Sequence, residues 1–220
     1  MSALLSAILL AALSGASFPA PGTYRYTASM SGQPVGSWSV SVTQDSGQTT
    51  IAESSDANVM GMQLAATASL VLGPDLAPLH YGGQYRTPTQ TPSVSVALTP
   101  NSATVVGALT PAPQQLTLAA HTRRFVVIEP GLLAGLFALP AQMAEWKDPA
   151  VTWITPATAQ AQLLTASPTS AGPRPAGLSA QEAVLSIDHP IAVTIWYDPA
   201  TLVPDEIAVP SQAAVLTRVR

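Results

Sequence analysis

The chain has 220 residues, a net charge of −4 and no cysteine. Only 9% of its residues are charged, against roughly 25% in ordinary soluble domains, and no basic run could neutralise nucleic-acid phosphates or anionic lipid. Disulfides, thiolate metal sites and a cysteine nucleophile are excluded outright.

Residues 1–16, "MSALLSAILLAALSGA", contain an Ala/Leu/Ile run of signal-peptide length that is too short to span a bilayer as a helix. Small residues at Ser14 and Ala16 suit cleavage after Ala16. The expectation is export to the periplasm or the extracellular space, with no transmembrane segment in the mature chain. Residues 17–220 then form one β-rich domain.

Strand patterns dominate the first half of that domain. "YRYTASM" and "VGSWSVSV" alternate apolar with hydroxylated residues around a Ser31-Gly32-Gln33-Pro34 turn. Gln44 to Gly47 turns the chain into "QTTIAESSDANV". From Met60 to Leu72 the even-numbered positions are Met, Leu or Ala throughout, the period-two signature of a long half-buried strand. Four antiparallel strands joined by short hairpins are therefore predicted. A turn and a short strand occupy residues 73–87, then come strands over Ser93–Thr99, Ala103–Leu109 and Gln114–His121, separated by Pro-containing turns.

The middle of the chain changes character. "EPGLLAGLFALPAQMAEW" is the helix candidate, with Pro130 in its first turn and Pro140 expected to stop or kink it. It is apolar nearly all round, which predicts burial. Two strands, a Pro/Gly/Ser-rich loop expected to be mobile near residues 167–177, and three or four closing strands complete the chain. The predicted fold is mainly β: a large curved antiparallel sheet, a half-barrel or open barrel, wrapping one short buried helix. One helix cannot cover so wide a sheet, so part of the concave face is left to side chains or to a ligand.

That pattern resembles exported lipoprotein carriers of the LolA and LolB type and related uncharacterised periplasmic domains. The residues carrying the resemblance are "YRYTASMSGQPVGSWSVSV", "LGPDLAPLHY" and "IWYDPATLVPDEI". It implies an apolar cavity that binds acyl chains or another lipid-like ligand.

No spacing announces catalysis. His80, His121 and His189 fall in no metal-ligand motif, no G-x-S-x-G is present, and Ser37 and Ser39 read as the solvent face of a strand. Asp205-Glu206 reads as a solvated turn, and no cofactor fingerprint occurs. No catalytic residue, metal ligand or cofactor is assigned, and a non-enzymatic protein is expected. The candidate ligand-binding residues are Tyr24, Tyr26, Trp38, Met60, Met62 and Leu64 on the inward faces of the first strands, with Leu133, Leu136 and Phe137 on the helix. The favoured function is binding of a hydrophobic or lipid-like molecule. The alternatives are an envelope-associated scaffold with a filled core and a protein partner, and a hydrolase whose site is assembled from distant residues.

Overall fold

The computed structural model describes residues 18–59, 61–107, 110–117, 124–148, 150–168, 174–189 and 191–220. The predicted signal segment, Met60, His121 and residues 169–173 of the predicted loop lie outside the described residues.

Fifteen strands form one curved sheet that does not close into a barrel. They are β1 (Gly22–Met30), β2 (Gln33–Asp45), β3 (Gln48–Val59), β4 (Met62–Leu72), β5 (Pro78–Arg86), β6 (Ser93–Thr99), β7 (Ser102–Gly107), β8 (Thr110–Thr117), β9 (Phe125–Val127), β10 (Ala150–Thr155), β11 (Gln160–Pro168), β12 (Ala183–Ile187), β13 (Val193–Tyr197), β14 (Pro204–Val209) and β15 (Ala214–Val219). The one α-helix among the described residues, α1, runs over Ala134–Trp146. The spatial order is β8 to β1, then β15 down to β9. Two meanders are thus joined where β1 pairs with β15, from Arg25 opposite Val219 to Met30 opposite Ala214.

The alternation read from the sequence sets which residues face inward. Tyr26, Ala28, Val40, Val42, Ile51, Leu70 and Leu72 are buried, while Arg25, Thr27 and Ser37 on the opposite face are exposed. The hairpins follow turn chemistry. Ser31 and Gly32, at φ 50° and 76°, and Ser46 and Gly47, at φ 49° and 80°, place two consecutive residues at positive φ, as a two-residue type I′ hairpin demands.

Three local features differ from expectation. First, β8 contains Pro111 and Pro113, which the sequence assigns to a turn. It is the last strand of the sheet, and its ladder is irregular between Val105 and Gly107, so prolines lacking an N–H are tolerated there. Second, β9 pairs with β10 in parallel, with α1 as the crossover, whereas the other pairings of the sheet are antiparallel. β9 is a three-residue, wholly buried Phe-Val-Val segment with no alternation to reveal it. Third, α1 begins after Pro130 and continues through Pro140 to Trp146. Every residue from Ala134 to Gln142 is buried, and this packing outweighs the roughly 3 kcal/mol penalty of an internal proline.

The sheet curls until its far end meets its beginning. β9 packs against β5, and the 3-10 turn Pro156–Thr158 packs against β6 and β7. The helix lies inside this curl against β3, β4, β9 and β13. Gly135 sets how closely it approaches. A Cβ there would collide with the Val127 carbonyl on β9. The far end of α1 is held by polar anchors: Gln142 Nε2 donates to Leu76 O (2.9 Å), and Trp146 Nε1 donates to Asp75 O (2.7 Å).

Candidate functional site

Most of the concave face is closed by packing. Between the entry to α1 and the ends of β1–β4, however, an apolar cavity of about 230 Å³ stays open. Ala28, Trp38, Ala57, Leu64 and Ala66 form its sheet wall. Gly131, Leu132, Leu133 and Leu136 form the opposite wall, and Val209, Ala214 and Leu216 close the side where β14 and β15 meet β1. Tyr85 and Arg86 lie at the end of β5 on its rim. No carboxylate lines it, and Arg86 is its one charged lining residue among the described residues.

The candidate residues divide by position. Trp38, Leu64, Leu133 and Leu136 are brought together on the cavity wall. Tyr26 is fully buried in the core and donates its hydroxyl to Pro204 O at 2.8 Å, tying β1 to β14. Burial pushes that hydroxyl far above the usual tyrosine range. Phe137 is fully buried, with the Tyr24 ring 5.3 Å from its own. The Tyr24 hydroxyl donates to Ala20 O (2.7 Å). Met62 faces inward by parity but lies at the end of β4, opposite Val59, and is 53% exposed. Met60 lies outside the described residues.

The wall that contains Leu132 and Leu133 is fixed by a residue that sequence reasoning missed. Glu53, on β3, points inward and is 4% exposed. Its carboxylate accepts the Leu133 N–H at 2.7 and 2.8 Å and the Ala134 N–H at 2.5 Å. A helix start leaves such donors without intrahelical partners, and no side chain at the N-cap supplies one. A strand carboxylate therefore caps the helix from across the core, where the positive end of the helix dipole favours a negative charge. Burial raises the Glu53 carboxyl to about 7, against the lowering effect of these two backbone donors. The available signal was parity: Glu53 is two residues beyond Ile51 and shares its inward face.

Other polar contacts clamp the segment before the helix. Tyr85 donates its hydroxyl to Pro130 O at 3.2 Å, Trp153 Nε1 donates to Ile128 O at 2.8 Å, and Glu129 accepts the Ala157 N–H at 2.8 Å. Burial raises the Glu129 carboxyl too, opposed by the Ala157 donor and by Tyr85. Tyr81 stands nearby with its hydroxyl buried and without a hydrogen-bond partner among the described residues.

A second polar cluster lies on the inward-facing side of β14 and β15, at the end away from the cavity, where Arg218 stands opposite Tyr26. Asp205 is 3% exposed on β14, not in a solvated turn as the sequence suggests. It meets Arg218 at 3.3 Å and Arg220 at 3.3 Å, and Arg220 also meets Glu182 at 3.2 Å. Burial and the neighbouring Asp205 raise the Glu182 carboxyl, with Arg220 acting against them. These contacts pin the last strand to the segment before β12. His80 and His189 are exposed, and among the described residues no three metal-ligating side chains gather. No helix among the described residues is long and apolar enough to cross a membrane.

No protein-family model and no curated protein matches the sequence. Among solved structures, the chain is similar to a beta-barrel-like protein of the domain of unknown function DUF1849 from Brucella abortus. The TM-score is 0.55 at 8% identity, over 92% of this chain and 97% of that one. A DUF1089 family protein from Pseudomonas aeruginosa matches with a TM-score of 0.47 at 7% identity, over 80% of this chain and 90% of that one. The first likeness establishes a barrel-like fold. That neighbour is a barrel-like protein of a domain of unknown function, and the likeness does not extend specifically to the lipoprotein carriers that the sequence pattern resembles.

Proposed function

We propose that this is an exported, non-enzymatic binding protein that holds a hydrophobic or lipid-like ligand in the cavity beside the helix entry. One observation carries the reading: an apolar cavity of about 230 Å³ stays open beside a large cluster of buried hydrophobic side chains. Cavities of roughly 150 Å³ with such walls already accept benzene, while drug-sized sites begin near roughly 300 Å³. The cavity therefore suits a short apolar segment and not a whole diacyl lipid. Its binding energy would come from burying apolar area, at roughly 25 cal/mol per Å². The signal-like N-terminal sequence supports export, and the hydroxylated outer strand faces are compatible with it.

Native mass spectrometry of the protein purified gently from its host, followed by denaturing extraction, tests this. A stoichiometric apolar molecule is expected. It should be lost on Leu64→Glu, which places a charge on the cavity wall at a half-buried strand end, while far-ultraviolet circular dichroism stays unchanged. A ligand-free mass together with no uptake from a mixed lipid extract would sink the reading.

A further inference from the structure

One wall of the cavity is the turn into α1, made of Gly131, Leu132, Leu133 and Leu136. That turn is anchored on either side. Before it, Tyr85 holds the Pro130 carbonyl and Glu129 holds the Ala157 N–H. After it, α1 is buried from Ala134 to Gln142. Between the anchors Gly131 stands at φ 82°, and a Cβ there would meet nothing within 4 Å. Its backbone freedom and the open space beside it make Gly131 the point about which Leu132 and Leu133 can turn.

Glu53 holds these residues shut. It takes the Leu133 and Ala134 N–H groups from a position 4% exposed, and it makes no ion pair among the described residues. Its cross-strand neighbours are Val40 on β2 and Ala68 on β4. The titratable groups around it are Tyr81 and Tyr85 on β5, whose hydroxyls feel both Glu53 and Glu129, and Tyr24 on β1, the partner of Val40. The first turn of α1 carries no acid. Arg218, the inward cation of β15, is engaged by Asp205 and the Tyr24 ring. An ionised Glu53 is therefore a buried charge with two N–H donors and no counterion, and turning the wall outward would give it water.

We propose that the helix entry is a proton-controlled door: with Glu53 protonated, Leu132 and Leu133 stay shut on the cavity, and ionisation of Glu53 swings them away from it about Gly131. This rests on the reading that the cavity binds an apolar molecule, and it adds the condition under which that molecule leaves. Burial raises the carboxyl to about 7 behind the closed door, and water returns it to 4.5 when the door opens. Between those values the closed form holds a proton that the open form has released, so opening is favoured as pH rises. The opening equilibrium should climb about tenfold per pH unit and about 300-fold in all, then level off. While the open form is scarce, affinity changes little, but release passes through it and accelerates.

Two measurements on the full chain test this. Hydrogen exchange at the Leu133 and Ala134 amides, divided by the intrinsic rate and followed in low urea to separate local opening from global unfolding, reads the door itself. Fluorobenzene, uncharged at every pH, reads release through fluorine NMR exchange. Both should rise from pH 4.5 to 7 in the wild type. Both should stay flat in Glu53→Gln, whose amide still accepts the N–H groups but has no proton to lose. Glu129→Gln should keep the rise. Wild-type amide opening that ignores pH, fluorobenzene release that ignores pH, or a rise that survives in Glu53→Gln or vanishes in Glu129→Gln would overturn the door while leaving the cavity site standing. The wild-type measurements decide the matter even where Glu53→Gln does not fold. Fluorobenzene bound at no pH would overturn the cavity reading and the door with it.

Discussion

Replacing Glu53 by Gln should change how stability depends on pH. In the folded chain burial raises the Glu53 carboxyl from 4.5 to about 7. Between those values the folded protein holds a proton that the unfolded chain has released. Stability must therefore fall as pH rises through that window, because the folded state carries the excess proton. At 1.36 kcal/mol per pH unit, the full effect is about 3 kcal/mol. Glu129, Glu182 and Glu206 are raised as well and add slopes of the same sign, so the informative quantity is a difference. Urea denaturation of the wild type and of Glu53→Gln at closely spaced pH values from 4 to 8 supplies it. Relative to the variant, the wild type should lose about 3 kcal/mol between pH 4.5 and 7, then run parallel to it. A flat difference would mean that the helix N–H groups offset desolvation, and one that favours the wild type as pH rises would mean that they outweigh it. Glu53 would then be a charged cap throughout this range and not a carboxyl held protonated by its burial.

Two further substitutions probe the packing of the core. Gly135→Ala improves helix propensity yet drives a Cβ into the Val127 carbonyl. It should lower stability by about 1–3 kcal/mol, read from denaturant midpoints. Tyr81→Phe removes a buried hydroxyl that has no partner among the described residues, and it should raise stability by about 1 kcal/mol in the same assay.

The legible parts of this fold are those with a short spatial period. Along β1 to β4, alternation at Tyr24–Ala28, Trp38–Val42 and Leu64–Leu72 names the inward face, since a strand has no other way to separate two kinds of side chain. The same parity places Trp38 and Leu64 on the cavity wall, and the apolar helix pattern places Leu133 and Leu136 opposite them. What stayed hidden depends on partners distant in sequence. The parallel pairing of β9 depends on a β10 that lies beyond the helix, and the passage of α1 through Pro140 depends on burial around the whole helix. Glu53 looks like one polar residue among several in "IAESSDAN", and its role exists only because Leu133 and Ala134, 80 and 81 residues later, present bare N–H groups to it. Tyr26 and Phe137 illustrate the converse limit. Both are aromatic and inward, but parity cannot say whether an inward residue meets empty space or another side chain.

The pairing of β1 with β15 has a consequence for how the molecule comes into being. Each meander is built from neighbours in sequence, and such local ladders form without closing long loops. The seam between them is different: Tyr26 must find Arg218, and its hydroxyl must find Pro204. During synthesis the strand that completes the middle of the sheet is the last of the fifteen to appear. Until then β1 offers an unpaired edge, the inner face lacks its β14–β15 wall, and the cavity has no third side. A chain assembled in this order completes the walls of its cavity only when β15 pairs with β1, and its sheet stays open at the middle until that step is taken.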